Sequence, residues 1–210
     1  MRTRAWMFNL VSAWLLSAGS APAQDAEPRR VGVLWFAGTL GAECPVDDAL
    51  VAEEVRRIYR HMGIEIAWTT VREGDVETHG ELIVTGVAAN PLPRPSVMGS
   101  VDRDSNTAWV YCIVIESALG LRSPDPRESP LLSRAVGRVV AHEIAHVLAP
   151  RFGHSARGLM RGQWREATLR DDYLVADAST REAVRTRLFA REAAGASESG
   201  PAADLTRADR

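Results

Sequence analysis

The segment from Leu132 to Leu148 constrains this chain most, because its residues conflict. Leu132, Ala135, Val136, Val139, Val140, Ile144, Val147 and Leu148 are apolar, yet His142, Glu143 and His146 stand among them. Ser133 can cap a helix and Pro150 blocks its continuation, so the sequence predicts a helix from Ser133 to about Leu148. A helix this apolar is buried, and burying two imidazoles and a carboxyl without partners is costly. His142 and His146 are four residues apart. Both rings therefore leave one helix face, one turn apart, and can reach a single metal ion at about 2.0–2.1 Å. Glu143 lies one residue further round, beside the ion's open side, where a carboxylate can hold a water without ligating the metal. The pattern HEIAH predicts a zinc site with Glu143 as general base.

Two histidines leave zinc short of ligands, since a catalytic site takes three from the protein plus a water. His154 lies eight residues past His146, and Pro150 with Gly153 lets the chain double back to aim it at the ion. Glu166, in a segment of helical patterning after Trp164, is a rival third ligand, and Asp171 or Asp172 is a further option.

The segment HEIAHVLAPRFGHSARGLM resembles the zinc-binding segment of the metzincin metallopeptidases, and is most similar to the matrixin-like branch. The resemblance implies His142, His146 and His154 as ligands of Zn2+, with Glu143 as the general base. It implies Ser155 as the serine that follows the third ligand, and Met160 as the methionine forming a floor beneath the metal. It also implies a protein or peptide substrate lying along an edge strand, for which Val97 to Val101 is the candidate. The chain departs from the family pattern in three places. Seven residues, Val147 to Gly153, separate the last two histidines, two more than the family has. Ala149 stands where the family has a turn glycine, and Met160 comes early. The gluzincins, another HExxH group, draw a glutamate from a later helix, the part Glu166 would play. The competing reading is a non-catalytic zinc-binding domain. It would suit four protein ligands, usually with cysteines, and would have no use for Glu143.

Other features set the context. Arg2 and Arg4 precede an apolar run from Ala5 to Ala18, then Ala21-Pro22-Ala23 and a polar stretch, the order of a cleaved secretory signal. The run is too short to cross ~30 Å of hydrocarbon, which needs about 20 residues. The expectation is a signal over residues 1–23, a single domain over 24–191 and a disordered tail over 192–210, in a secreted or periplasmic protein. Cys44 and Cys112 are the only cysteines and are expected to be bridged in that oxidising setting. The net charge of −2 becomes −4 without Arg2 and Arg4, and lysine is absent. That balance gives no reason to expect nucleic acid, or a membrane after signal cleavage, as partner.

The predicted elements are a strand over Val31 to Phe36, a helix from Asp47 or Asp48 to about Met62 ended by Gly63, and strands over Ile64 to Val71 and Leu82 to Val87. An edge strand over Val97 to Val101, a strand over Trp109 to Ile115 and a proline-rich loop from Leu121 to Pro130 lead to the HExxH helix. Helical patterning follows at Trp164 to Leu174 and at Thr180 to Arg191. There are no internal repeats. The fold class is α/β (α+β), a twisted mixed sheet packed on two long helices with a small, mostly helical C-terminal part. His61 and His79 read as surface residues, and Tyr173 as structural. Together these readings predict an exported zinc-dependent endopeptidase.

Overall fold

The computed structural model of the chain describes residues 28–36, 38–39, 42–71, 82–87, 96–121 and 129–198. The N-terminal apolar segment, His79 and residues 199–210 lie outside them. Strand β1 (Arg29–Phe36) leads into a two-stranded ribbon of β2 (Gly38–Thr39) and β3 (Ala42–Glu43). Helix α1 (Asp48–Arg60) follows, its N-cap Asp47 accepting from the amides of Ala49 and Leu50. Gly63, at φ 72°, turns the chain into β4 (Ile64–Val71). After β5 (Leu82–Val87) come β6 (Gly99–Asp102) and β7 (Thr107–Tyr111). The strands form one sheet in the order β4-β1-β5-β7-β6, parallel except for the antiparallel edge β6.

Alternation sorts each strand into a core side and an outer side. Val31, Val33 and Trp35 of β1, Ile64 and Ile66 of β4, Leu82 and Val84 of β5, and Ala108 and Val110 of β7 join the helices in one core cluster. Trp35 is fully buried, lies 5.7 Å from the Trp68 ring and donates its indole N–H to Asp48.

The stretch read as a strand from Trp109 to Ile115 divides at Tyr111, after which α2 (Cys112–Ala118) begins. Cys112, Ile115 and Leu119 are all buried, which is helical spacing. A short, uniformly apolar run hides that period, so strand and helix look alike in it. Cys112 is bridged to Cys44 across 68 residues, and a loop of that size contributes about 4 kcal/mol in the chain-entropy model.

The HExxH helix, α3 (Ser129–Leu148), starts one turn before its expected cap. Pro130 sits in the first turn, where its missing N–H is harmless, instead of closing the preceding loop. Ser133 is therefore inside the helix. Its Oγ donates to the Ser129 carbonyl at 2.7 Å and accepts the Asp47 amide at 2.9 Å, joining the start of α1 to α3. The two helices cross closely at Gly137, where a Cβ would fall 2.9 Å from the Val51 carbonyl oxygen.

Beyond α3 the expected helix over Trp164 to Leu174 shrinks to α4 (Glu166–Leu169). Helix α5 (Ala178–Glu198) runs past Arg191 into the segment expected to be disordered. Alanines at 190, 193, 194 and 196 keep helix propensity high there despite the low hydrophobicity. No helix among the described residues is long and apolar enough to cross a membrane.

One buried cation ties these parts together. Arg138 of α3 is 1% exposed. Its Nε donates to Glu54 of α1 at 2.7 Å, Nη1 to the Leu169 carbonyl and Nη2 to Asp172 at 2.8 Å. Arg57 grips the same Glu54 with two hydrogen bonds and also donates to the Leu174 carbonyl. Burial pushes the Glu54 carboxyl up, but hydrogen bonds from Arg57 and Arg138 outweigh it and hold the group below its usual range. Glu54→Ala leaves a guanidinium buried and short of its carboxylate, and should destabilise the protein by about 3–5 kcal/mol in urea unfolding. Asp172→Asn, at the 69% exposed end of the network, should stay within about 1 kcal/mol of the parent. Equal losses for the two would refute the view that Glu54 is the essential partner.

Candidate metal centre

The middle of α3 is buried, His142 with it, while His146 is half-buried and His154 exposed at the cleft. His142 Nε2 and His146 Nε2 lie 3.1 Å apart, and His154 Nε2 lies 3.1 Å from His146 Nε2. His154 arrives by a reversal after α3 in which Gly153 does not adopt a left-handed backbone. The Phe152 amide bonds the Ala149 carbonyl just past the helix end, and the Ser155 amide bonds the Met160 carbonyl at 2.7 Å. The extra residues between His146 and His154 are taken up in that turn.

The donor set fits a cation. Tetrahedral ligands at ~2.0–2.1 Å lie roughly 3.3 Å from one another, close to the separations seen. His142 Nδ1 is 2.8 Å from the Leu159 carbonyl oxygen and must donate its proton to it, so its Nε2 offers a lone pair. His146 Nε2 then faces two ring nitrogens and can donate a proton to only one. A divalent cation satisfies all three. Burial and the Leu159 contact act oppositely on His142, and burial wins, lowering it to about 4. Burial, with His142, His154 and Arg103 nearby, lowers His146 to about 3. Both rings are therefore neutral near pH 7, the form that binds metal. Among the described residues the three histidines form the one group able to hold a metal ion, and their chemistry fits Zn2+.

Glu143 is buried on the same helix and lines a cleft of about 450 Å³ together with Met98, Gly99, Val139, His142, His154 and Trp164. Burial alone raises its carboxyl to about 8. Gly99 of the edge strand lies flush against it, and a Cβ there would fall 2.5 Å from Oε1. The Trp164 ring stands edge-on to His142 at 5.5 Å and donates its N–H to the Arg161 carbonyl.

The other candidates lie apart from this cluster. Glu166 is largely exposed and paired with Arg170 at 2.9 Å. Asp171 accepts the Tyr173 amide, and Asp172 serves Arg138. Met160 is fully buried in the turn that returns to the histidines, and Ser155 Oγ donates to the Arg157 carbonyl. Tyr173 and His61 are exposed. Sequence reasoning missed Gly99, Trp164 and the Leu159 carbonyl. Only Gly99 left a signal: a glycine inside a predicted strand marks a close backbone approach.

The raised carboxyl of Glu143 has a pH signature in metal-free protein. Its unfolded value is near 4.5 and its folded value about 8. The unfolded chain gives up the proton first, so stability falls as pH rises through that window and the loss is complete above it. Glu143→Gln removes this loss. Metal-free Glu143→Gln should therefore melt increasingly above the parent from pH 6 to pH 9, as read by circular dichroism. A pH-independent difference would mean that Glu143 is not held neutral by burial.

No family model matches the sequence, and no curated protein matches it significantly. Solved structures do. Archaemetzincin from Methanopyrus kandleri superposes with a TM-score of 0.51 at 12% identity, covering 80% of this chain and 99% of that one. A zinc-dependent peptidase from Methanocorpusculum labreanum gives 0.49 at 13% identity, covering 75% and 99%. The first likeness shows a shared fold, reached from a sequence with little identity to it.

Proposed function

We propose that this chain is a metzincin-type zinc endopeptidase, with His142, His146 and His154 as the ligands and Glu143 as the general base. One observation carries the reading: a buried carboxyl, which forms no ion pair among the described residues, lines the same cleft as two of three convergent imidazoles. A purely structural metal site would want a fourth protein ligand and no open cleft. Among the described residues no fourth donor joins the histidines. The archaemetzincin fold supports the reading, as does the serine after His154.

When bound, zinc supplies Lewis acidity, acidifying a water and polarising a peptide carbonyl. Glu143 takes the proton from the attacking water. It then passes that proton to the amine as the C–N bond breaks, and returns to its starting state. Gly99 keeps β6 close enough to confine that carboxyl. The edge strand β6 offers its free side to an extended peptide, which would lie across the cleft. His142 is held in its working tautomer by the Leu159 carbonyl. The N-terminal signal pattern and the Cys44–Cys112 bridge support action outside the cytoplasm, in the periplasm or beyond the cell.

Metal analysis and peptide cleavage test this together. The purified protein should carry one zinc per chain. His154→Ala should lose most of it, while Glu166→Ala keeps it. Glu143→Ala should retain zinc and lose turnover by about 10²-fold or more. Gly99→Ala should lower kcat with zinc content unchanged. If Glu143→Ala cleaved a broad peptide library as the parent does, Glu143 would not be the base.

A further inference from the structure

Two arginines border the cleft outside any ion pair among the described residues, and the one carboxyl lining it with them, Glu143, is pushed toward its neutral form by burial. Arg161 and Arg165 line it together with His142, Glu143 and His154. They also line the adjoining hollow beside Ser155, Ala167 and Thr168. The acids of the surrounding segment are engaged elsewhere. Glu166 pairs with Arg170, Asp172 with Arg138, Asp171 with the Tyr173 amide, and Asp177 with Ser179 and the Thr180 amide. Among the described residues neither Arg161 nor Arg165 forms an ion pair. The protein as a whole is mildly acidic, so this local positive charge is not background.

Arg161 is also pre-positioned. Its Nη1 donates to Thr168 Oγ1 at 2.7 Å, its carbonyl accepts the Trp164 indole, and its backbone bridges to Ser155. One N–H is spent, and most of the guanidinium fork remains for a ligand. Arg165 is exposed, with its carbonyl fixed by the amides of Thr168 and Leu169. A planar guanidinium matches a carboxylate through two parallel hydrogen bonds, and a second nearby cation adds attraction at longer range.

We propose that Arg161 and Arg165 form a carboxylate subsite, so that the substrates are peptides presenting a carboxylate beside the cleft. This rests on the peptidase reading and names the substrate class of that site. The carboxylate can come from an Asp or Glu side chain or from the peptide's C-terminus, and both offer the fork the same chemistry.

The test separates binding from turnover by using zinc-loaded Glu143→Gln protein. Fluorescence anisotropy would compare a neutral peptide blocked at both ends, twins with one glutamate at each position in turn, and the neutral peptide with a free C-terminal carboxylate. At least one carboxylate peptide should bind about ten-fold tighter than the blocked neutral one. Which one does so identifies the source. The advantage should shrink with added salt and vanish in Arg161→Gln/Arg165→Gln. If that double variant misfolds, the exposed Arg165→Gln alone should cut the advantage measurably. Equal binding of all peptides, no binding of any, or an advantage that survives the substitutions overturns the proposal. Cleavage of the same peptides by the unsubstituted protein is read separately. Failure there sinks the peptidase reading, whatever the binding shows.

Discussion

A guanidinium cut off from water sits one turn before the histidine pair, and the placement of the site depends on it. Arg138 would be prohibitively costly to bury alone, and its attraction to Glu54 offsets the desolvation only because the geometry is close and each of its three nitrogens finds an acceptor. The partners come from different parts of the chain. Glu54 stands on α1, while Asp172 and the Leu169 carbonyl belong to the segment after α3. The ion pair thus fixes how the HExxH helix sits between the sheet-side helix and the C-terminal part, where nonspecific apolar packing would allow sliding.

That C-terminal part needs such anchoring because it is mostly irregular. Between Ala149 and Asp177 the one helix has four residues, and coil carbonyls near a core must find donors. Side chains on the long helices supply them. Arg138 takes the Leu169 carbonyl, Arg57 the Leu174 carbonyl, and His142 the Leu159 carbonyl. The last of these links structure to chemistry. The contact that pins the segment also sets the proton on His142, so the loop carrying His154 and the ring it must meet are positioned by one hydrogen bond. This explains how His154 reaches the cluster across a longer spacing than the family pattern. The loop is registered at Leu159 and Met160, beyond His154, and the residues before it are free to bulge.

Much of this was legible in the residues. Strands β1, β4 and β5 and helix α1 follow from local period and capping, and HEIAH announces itself because three polar groups interrupt an apolar helix. What escaped reading has physical reasons. The break at Tyr111 is invisible because a continuous apolar run fits either period. Ser133 looked like a cap because local sequence cannot tell a capping hydroxyl from one that bridges to Asp47. Arg138 reads as an ordinary surface arginine until its partners, 84 and 34 residues away, are known. The motif was read as most similar to the matrixin-like branch, whereas the likeness to archaemetzincin lies in the fold, since 12% identity leaves little sequence to compare.

Burial gives the site opposite defects that one ion corrects. It strips His142 and His146 of protons, leaving converging lone pairs that cannot all be satisfied by hydrogen bonds among themselves. It also pushes Glu143 up to about 8, so the carboxyl resists ionising in the metal-free protein. A dication held by His142, His146 and His154 would relieve the first defect directly and the second through its field, drawing the carboxyl back toward ionisation. An exposed glutamate at the same distance would be a weaker base, already ionised and fully hydrated. In the proposed mechanism, the apolar helix that made this segment improbable is what tunes Glu143 for its part as the base.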